Sequence, residues 1–392
     1  MYQRGCVPLR ARPARWGSPR GGAPAAVPRT TSGANMNRRS LLVLGSLLSS
    51  QAVLGLAGGC AAKSNADDAD RGPAAEVPTL AGDLVAHDPA LLLDEQGAPL
   101  AVFSTGDASI AGGAILVRIS EDGGTTWGKR TGAWRLADEP AWTHEAVPGL
   151  TNYWAPDVVR VGDEIRLYYA ASTFGSSRSA IGLMANAAFD PTDPQTGWED
   201  RGVVITSGDG EAYNAIDPSV LTDADGRTWM AFGSFWGGIF AVELGRDGLR
   251  ADPTAEPIRL ADRGTALNDV EGAALAQHHG WYYLFVSFGS CCQGTDSTYE
   301  TAVGRSEAIT GPYLDRSGAS LLDGGGTVLL SGQGNMIGPG GGAVAGDWLV
   351  HHYYDADNGG TPTLALRRLA WDDDWPVLLS TEELSASAQA TA

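Results

Sequence analysis

The sequence predicts an all-β fold, a five-bladed β-propeller, and three observations carry that prediction. An apolar run, a glycine-centred turn and a second apolar run recur five times between residues 87 and 350. The repeats start at Asp88, Asp157, Asp217, Glu271 and Gly340, separations of 69, 60, 54 and 69 residues, close to the length of a four-stranded blade. The composition agrees, because 53 Gly and 12 Trp in 392 residues, with few long helical patterns, suit a turn-rich β-protein. One such repeat cannot bury both of its faces, so its neighbours must supply the core.

Taken in order, residues 1–59 hold eight Arg and no acidic residue, and the first 35 lack any periodicity that could build a core. Met36-Asn37-Arg38-Arg39, the Leu-rich run from Leu41 to Leu56 and Ala57-Gly58-Gly59-Cys60 read as an export signal whose true start is Met36. The Leu-Ala-Gly-Gly-Cys ending resembles a bacterial lipoprotein box, which predicts a lipid anchor at Cys60 and a cell-surface or extracellular location. Residues 60–80 read as a solvated tether, 81–380 as one propeller domain and 381–392 as a tail. The whole chain carries 27 basic against 46 acidic residues, and the part after the Arg-rich leader stands at −27. A domain this acidic repels nucleic acid and anionic membrane and favours a neutral partner such as a sugar.

The first blade opens at His87-Asp88-Pro89, turns at Gly97 and returns through Leu100 to Phe103. The second opens at Trp154-Ala155-Pro156-Asp157 and turns at Gly162; the third opens at Asn214-Ala215-Ile216-Asp217-Pro218 and turns at Asp225-Gly226. The fourth opens at Val270-Glu271-Gly272 and turns at Gly280, and the fifth opens at Gly338-Pro339-Gly340 and turns at Gly346. A lone Asp-Pro is only a turn signal. Four acids at one repeat phase would meet around the axis, where crowded carboxylates resist ionisation and separate in pKa, an arrangement that suits acid–base chemistry better than stability.

Several stretches in this order resemble the family 43 glycoside hydrolases, and most of all their endo-α-1,5-L-arabinanases, over about Val85 to Leu379. They are His87-Asp88-Pro89, Tyr153 to Val158, Tyr213 to Ser219 with Gly233 to Ile239, Val270-Glu271-Gly272, Cys291-Cys292-Gln293-Gly294 with Ser297-Thr298-Tyr299, and His352-Tyr353-Tyr354-Asp355. The resemblance implies an inverting, endo-acting hydrolase of internal bonds in arabinan or arabino-oligosaccharide, with Asp88 as general base, Glu271 as general acid and Asp217 tuning and orienting the acid. Inversion needs base and acid roughly 6.5–9.5 Å apart to admit a water. A third carboxylate beside Glu271 keeps it protonated by like-charge repulsion.

Around these three, Trp154, Phe235 and Trp236 are expected either to stack on sugar rings or to pack between blades. Asn214 and Ser234 are candidate partners for sugar hydroxyls, and His87 holds the base or touches substrate. Asp157 binds sugar hydroxyls, positions Trp154 or is structural. Cys291 and Cys292 form either a vicinal disulfide at the cleft or two packed thiols, adjacent Cα atoms lying only about 3.8 Å apart. No cofactor is required for the chemistry. The resemblance also implies an axial Ca2+ held by waters and a last-blade histidine, and this chain reads Gln333 or Gly341 where that histidine is expected, so the ion is in question. A monomer is expected. The alternative functions are an exo-acting α-L-arabinofuranosidase or β-xylosidase of the same family and a non-catalytic surface glycan-binding propeller.

Overall fold

Five antiparallel four-stranded sheets follow one another along residues 78–380, the part of the chain that the computed structural model describes. The export signal, the anchor at Cys60, most of the tether and the tail lie outside the described residues. The short β1 (Ala81–Gly82) pairs in parallel with β5 (Thr126–Trp127) beside the first blade. That blade is β2 (Ala90–Leu93), β3 (Pro99–Ser104), β4 (Leu116–Ile119) and β6 (Thr131–Gly132). A five-residue helix, α1 (Trp142–Ala146), leads to the second: β7 (Tyr153–Val161), β8 (Glu164–Ala171), β9 (Ser179–Asn186) and β10 (Trp198–Ser207). The third is β11 (Ser219–Thr222), β12 (Thr228–Phe232), β13 (Ile239–Leu244) and β14 (Ile258–Ala261). The fourth is β15 (Val270–His278), β16 (Trp281–Phe288), β17 (Glu300–Ser306) and β18 (Thr327–Leu330). The fifth is β19 (Met336–Ala345), β20 (Trp348–Asp355), β21 (Thr361–Asp372) and β22 (Trp375–Leu378).

The first strand of each blade packs on the first strand of the next, β2 on β7, β7 on β11, β11 on β15, β15 on β19, and β19 back on β2. The ring therefore closes after five blades with those strands around the axis. Apolar burial follows the same logic, since five buried clusters each fill one interface between neighbouring blades. Trp134 and Tyr169 sit in the cluster between blades one and two, and Phe285 and Trp375 in that between four and five. The hairpin turns after the five inner strands each hold their glycine, Gly97, Gly162, Gly226, Gly280 and Gly346, at positive φ, which explains why glycine recurs at that phase.

Closure uses a segment that no repeat announced. Residues 84–86 lie along the free edge of β21, where the Ala86 N–H donates to the Pro362 carbonyl (3.1 Å) and the Leu364 N–H to the Leu84 carbonyl (2.7 Å). The approach to the first blade is thereby clasped to the last, a closure that covers an otherwise open strand edge.

Candidate active site

All five inner strands enter the axis through one backbone device. Asp88, Ala155, Asp217, Gly272 and Gly341 have positive φ of 48, 29, 57, 61 and 54°. For the two aspartates this conformation costs about 1–3 kcal/mol each, a strain typical of functional positions. In the first three blades a proline follows the positive-φ residue, so Pro89, Pro156 and Pro218 mark the true phase.

This phase corrects the reading of Asp157, which stands two residues beyond Ala155 and is equivalent to Ala90 and Ser219. Its Oδ1 accepts the Val158 N–H (3.0 Å) and its Oδ2 accepts the Val220 N–H of the next blade (2.6 Å). Ser219 does the same one blade later, its Oγ accepting the Leu275 N–H (2.9 Å). Asp157 is thus a strut between blades rather than a ligand for sugar, and burial pushes its carboxyl up to about 6 against those two donors.

Asp88, Asp217 and Glu271 do come together. Asp217 accepts the N–H of Gly272, the residue after Glu271, and Gly272 in turn abuts Gly341, where a Cβ would meet Asp88 Oδ1, so the three acids enter one axial cluster. Asp88 Oδ2 accepts from His87 Nδ1 (2.7 Å) and from Thr105 Oγ1 (2.7 Å). Burial opposes its charge, but the adjacent His87, and then the Thr105 hydroxyl, hold its pKa down at about 2. Its other oxygen, Oδ1, accepts no hydrogen bond among the described residues. A Cβ at Gly341 would lie 2.5 Å from Oδ1, so glycine keeps the space beside that oxygen open.

Glu271 is environmentally opposite. Its Oε2 accepts from Ser234 Oγ (2.5 Å) and its Oε1 from the Tyr299 hydroxyl. Burial raises its pKa, the two hydroxyls pull it back, and Asp88 adds to the rise. Asp217 accepts the Gly272 N–H (3.0 Å), and burial followed by repulsion from Glu271 and Asp88 lifts it well above the usual carboxylate range. Two ionised carboxylates in so dry a place would repel strongly, so the Asp217–Glu271 pair retains a proton while Asp88 stays ionised.

The remaining predicted residues fall into two groups. His87 is part of the site, stacked on His352 at 3.9 Å, with Nε2 2.8 Å from the Tyr354 hydroxyl. Burial acts against its charge, yet the Asp88 carboxylate outweighs this and raises its pKa. Cys291 and Cys292 form a vicinal disulfide; the Cys292 N–H donates to the Tyr354 hydroxyl (2.7 Å), and Cys292 Sγ lies 3.6 Å from His87 Nε2. Trp154 is half-buried at the head of β7, and Phe235 and Trp236 occupy the β12–β13 loop at the same end of the blades, with Trp236 46% exposed. Asn214 does not face the site freely: it is buried and its Oδ1 accepts from Ser179 Oγ (2.7 Å). Ser234 is committed to Glu271 rather than to a sugar hydroxyl.

No histidine stands at Gln333 or Gly341, and the last blade supplies one from its second strand. Gly341 could not be replaced by histidine, because its Cβ would also fall 2.6 Å from the His352 ring. His352 on β20 supplies the buried imidazole instead, its Nδ1 accepting the Asp88 N–H (3.1 Å). Burial, then His87, keeps it neutral, so its proton is on Nε2, which is buried without a partner among the described residues. A protonated nitrogen offers a donor and no lone pair, whereas Ca2+ takes six to eight oxygens. These residues therefore do not fit direct ligation of Ca2+. Thr105 and Tyr299 were also missed as site residues; Tyr299 stood within Ser297-Thr298-Tyr299, but nothing around Thr105 signalled its contact with Asp88.

A family profile described as "Glycosyl hydrolases family 43" matches residues 127–376. The extracellular endo-alpha-(1->5)-L-arabinanase 1 of Bacillus subtilis (strain 168) is 41% identical over 238 residues, 60% of this chain and 72% of that protein. The extracellular exo-alpha-(1->5)-L-arabinofuranosidase ArbA of Cellvibrio japonicus (strain Ueda107) is 35% identical over 311 residues, 74% of this chain and 85% of that protein. Among solved structures, the GH43 endo-arabinanase from Bacillus licheniformis superposes with a TM-score of 0.69 at 38% identity, covering 76% of this chain and 99% of its own.

Proposed function

We infer that this chain, which belongs to the family 43 glycosyl hydrolases, is an endo-acting, inverting hydrolase of the internal α-1,5-L-arabinofuranosidic bonds of arabinan. The observation that carries this reading is the opposed state of two carboxylates in one axial cluster, Asp88 held ionised and Glu271 held toward its protonated form. The free Oδ1 of Asp88 takes a proton from water as that water attacks the anomeric carbon. Glu271 gives its proton to the departing glycosidic oxygen on the opposite side of the ring. Bond breaking leaves Glu271 ionised and Asp88 protonated, and exchange with solvent resets both. Asp217 and Glu271 share one proton, which lies on Glu271 when Asp217 is ionised, while Ser234 and Tyr299 fix the rotamer from which it is delivered. His87 and Thr105 hold Asp88 through Oδ2 and leave its other oxygen for water. Trp236 and Phe235 offer aromatic faces to furanose rings.

The stereochemistry is tested by proton NMR of the anomeric signal in the first minutes of hydrolysis. The inverted anomer is expected before mutarotation, and a retained one would overturn the assignment of Asp88 as base. A second reading, exo-action, draws on the exo-acting Cellvibrio japonicus relative and is separated by the lengths of the products. Extracellular action accords with the names of both relatives. The signal ending at Cys60 would add a lipid anchor, which predicts that Cys60→Ser moves the protein from the detergent phase to the aqueous phase on cloud-point partition.

A further inference from the structure

At the end of the blades opposite the three acids, two turns from adjacent blades meet. His278 ends β15 and His279 follows it in the turn to β16, while Asp374 lies in the turn between β21 and β22. Their ligand atoms, one from each residue, lie within 4.8 Å of one another. His279 Nδ1 is 3.2 Å from Asp374 Oδ1. His278 is stacked on Trp371 at 4.0 Å and 5° and on His279 at 3.8 Å; stacked imidazoles cannot aim their in-plane lone pairs at one ion, so the exposed His279 ring turns out of this stack to share an ion with His278.

The carboxylate is held in place from behind. Asp374 has a φ of 56°, and its carbonyl accepts from the Tyr283 hydroxyl (2.5 Å) and from Arg305 Nη1 (3.0 Å), which also reaches the Asp373 carbonyl. Arg305 is itself clamped between the rings of Trp281 and Trp375, at 4.4 and 4.5 Å. Two imidazoles and a carboxylate from fixed turns form a donor set with no role in the hydrolysis.

We propose that His278, His279 and Asp374 bind a borderline divalent transition ion, of which Zn2+ is the type, and that the ion ties blade four to blade five. Imidazole nitrogen with one carboxylate oxygen is chemistry suited to Zn2+, Ni2+ or Cu2+ and poorly suited to Ca2+ or Mg2+, which take oxygen shells. Three protein donors leave the rest of the coordination shell to water, so the site is a cross-link on the surface.

The test is calorimetric titration of the full chain, stripped with chelator and free of any histidine tag, with Zn2+. His279→Asn and Asp374→Asn are the variants, chosen because Asn tolerates positive φ. The His279 side chain is 73% exposed, so its loss spares the core. One saturable Zn2+ per wild-type chain is expected, with affinity about tenfold or more weaker in each variant. Zinc should also raise the melting temperature of the wild type more than that of either variant. Absence of saturable binding, or isotherms unchanged in both variants, would overturn the proposal.

Discussion

Replacing Tyr299 by Phe removes one hydroxyl from Glu271 and keeps the buried ring that packs against Gly340, so the change isolates a single hydrogen bond. A hydrogen bond to a charged group contributes about 1.5–3 kcal/mol, and part of it survives when the acceptor is neutral. At 1.36 kcal/mol per pKa unit, loss of this donor should raise the Glu271 pKa by about 1–2 units. The donor favours the ionised carboxylate, so its removal keeps the acid protonated to higher pH. The basic limb of the pH profile of kcat/KM on linear arabinan reports the acid in the free enzyme and should move up by about 1–2 pH units. At pH 7 kcat should fall about tenfold, because the acid loses one of two groups that orient it. A basic limb that stays in place or moves down would refute the assignment of Glu271 as the proton donor held by Tyr299.

Asp217→Asn removes the carboxylate beside Glu271 while retaining an oxygen for the Gly272 N–H, so the basic limb should move down and kcat should fall about 100-fold or more. Asp157→Ala leaves the Val158 and Val220 N–H groups buried without acceptors, which should cost about 2–4 kcal/mol in denaturant titration with KM unchanged. The Asp157 carboxyl, pushed up to about 6 in the fold, binds its proton more tightly than in the unfolded chain. Its contribution to stability is full below about pH 4 and is lost as the pH rises through 6, so the wild type should gain up to about 3 kcal/mol over Asp157→Ala on acidification across that range. Trp236→Ala, at an exposed position, should raise KM for long arabinan about 2- to 10-fold, the equivalent of one aromatic stack, and leave the melting temperature unchanged.

The five-fold repeat was legible because each inner hairpin carries its own turn glycine and its own apolar runs, and these are local features. Asp88, Asp217 and Glu271 were legible for a related reason: each stands at a strand entry marked by neighbours in sequence. The phase of Asp157 was misplaced because the acid was taken as its marker, when the proline after the positive-φ residue is what recurs in the first three blades. Read from Pro156, Asp157 aligns with Ser219 and the strut follows. His352 escaped because it reaches Asp88 from the second strand of its blade, and only the close approach permitted by Gly341 brings the two together. Thr105, Ser234 and Asn214 show the same limit, since a short polar side chain at a blade end serves backbone, acid or solvent according to neighbours set by the ring. The clasp of residues 84–86 on β21 joins positions nearly 280 residues apart, and no local pattern announces it.

The most direct measurement is the time course of product lengths from debranched linear arabinan, run with the wild-type chain and with Glu271→Gln. Early release of arabino-oligosaccharides of mixed length, abolished in the variant, is the result that internal cleavage by the axial carboxylates predicts. Arabinose as the sole early product would contradict endo-action, and mixed oligosaccharides released equally by Glu271→Gln would contradict the assignment of Glu271 as the acid.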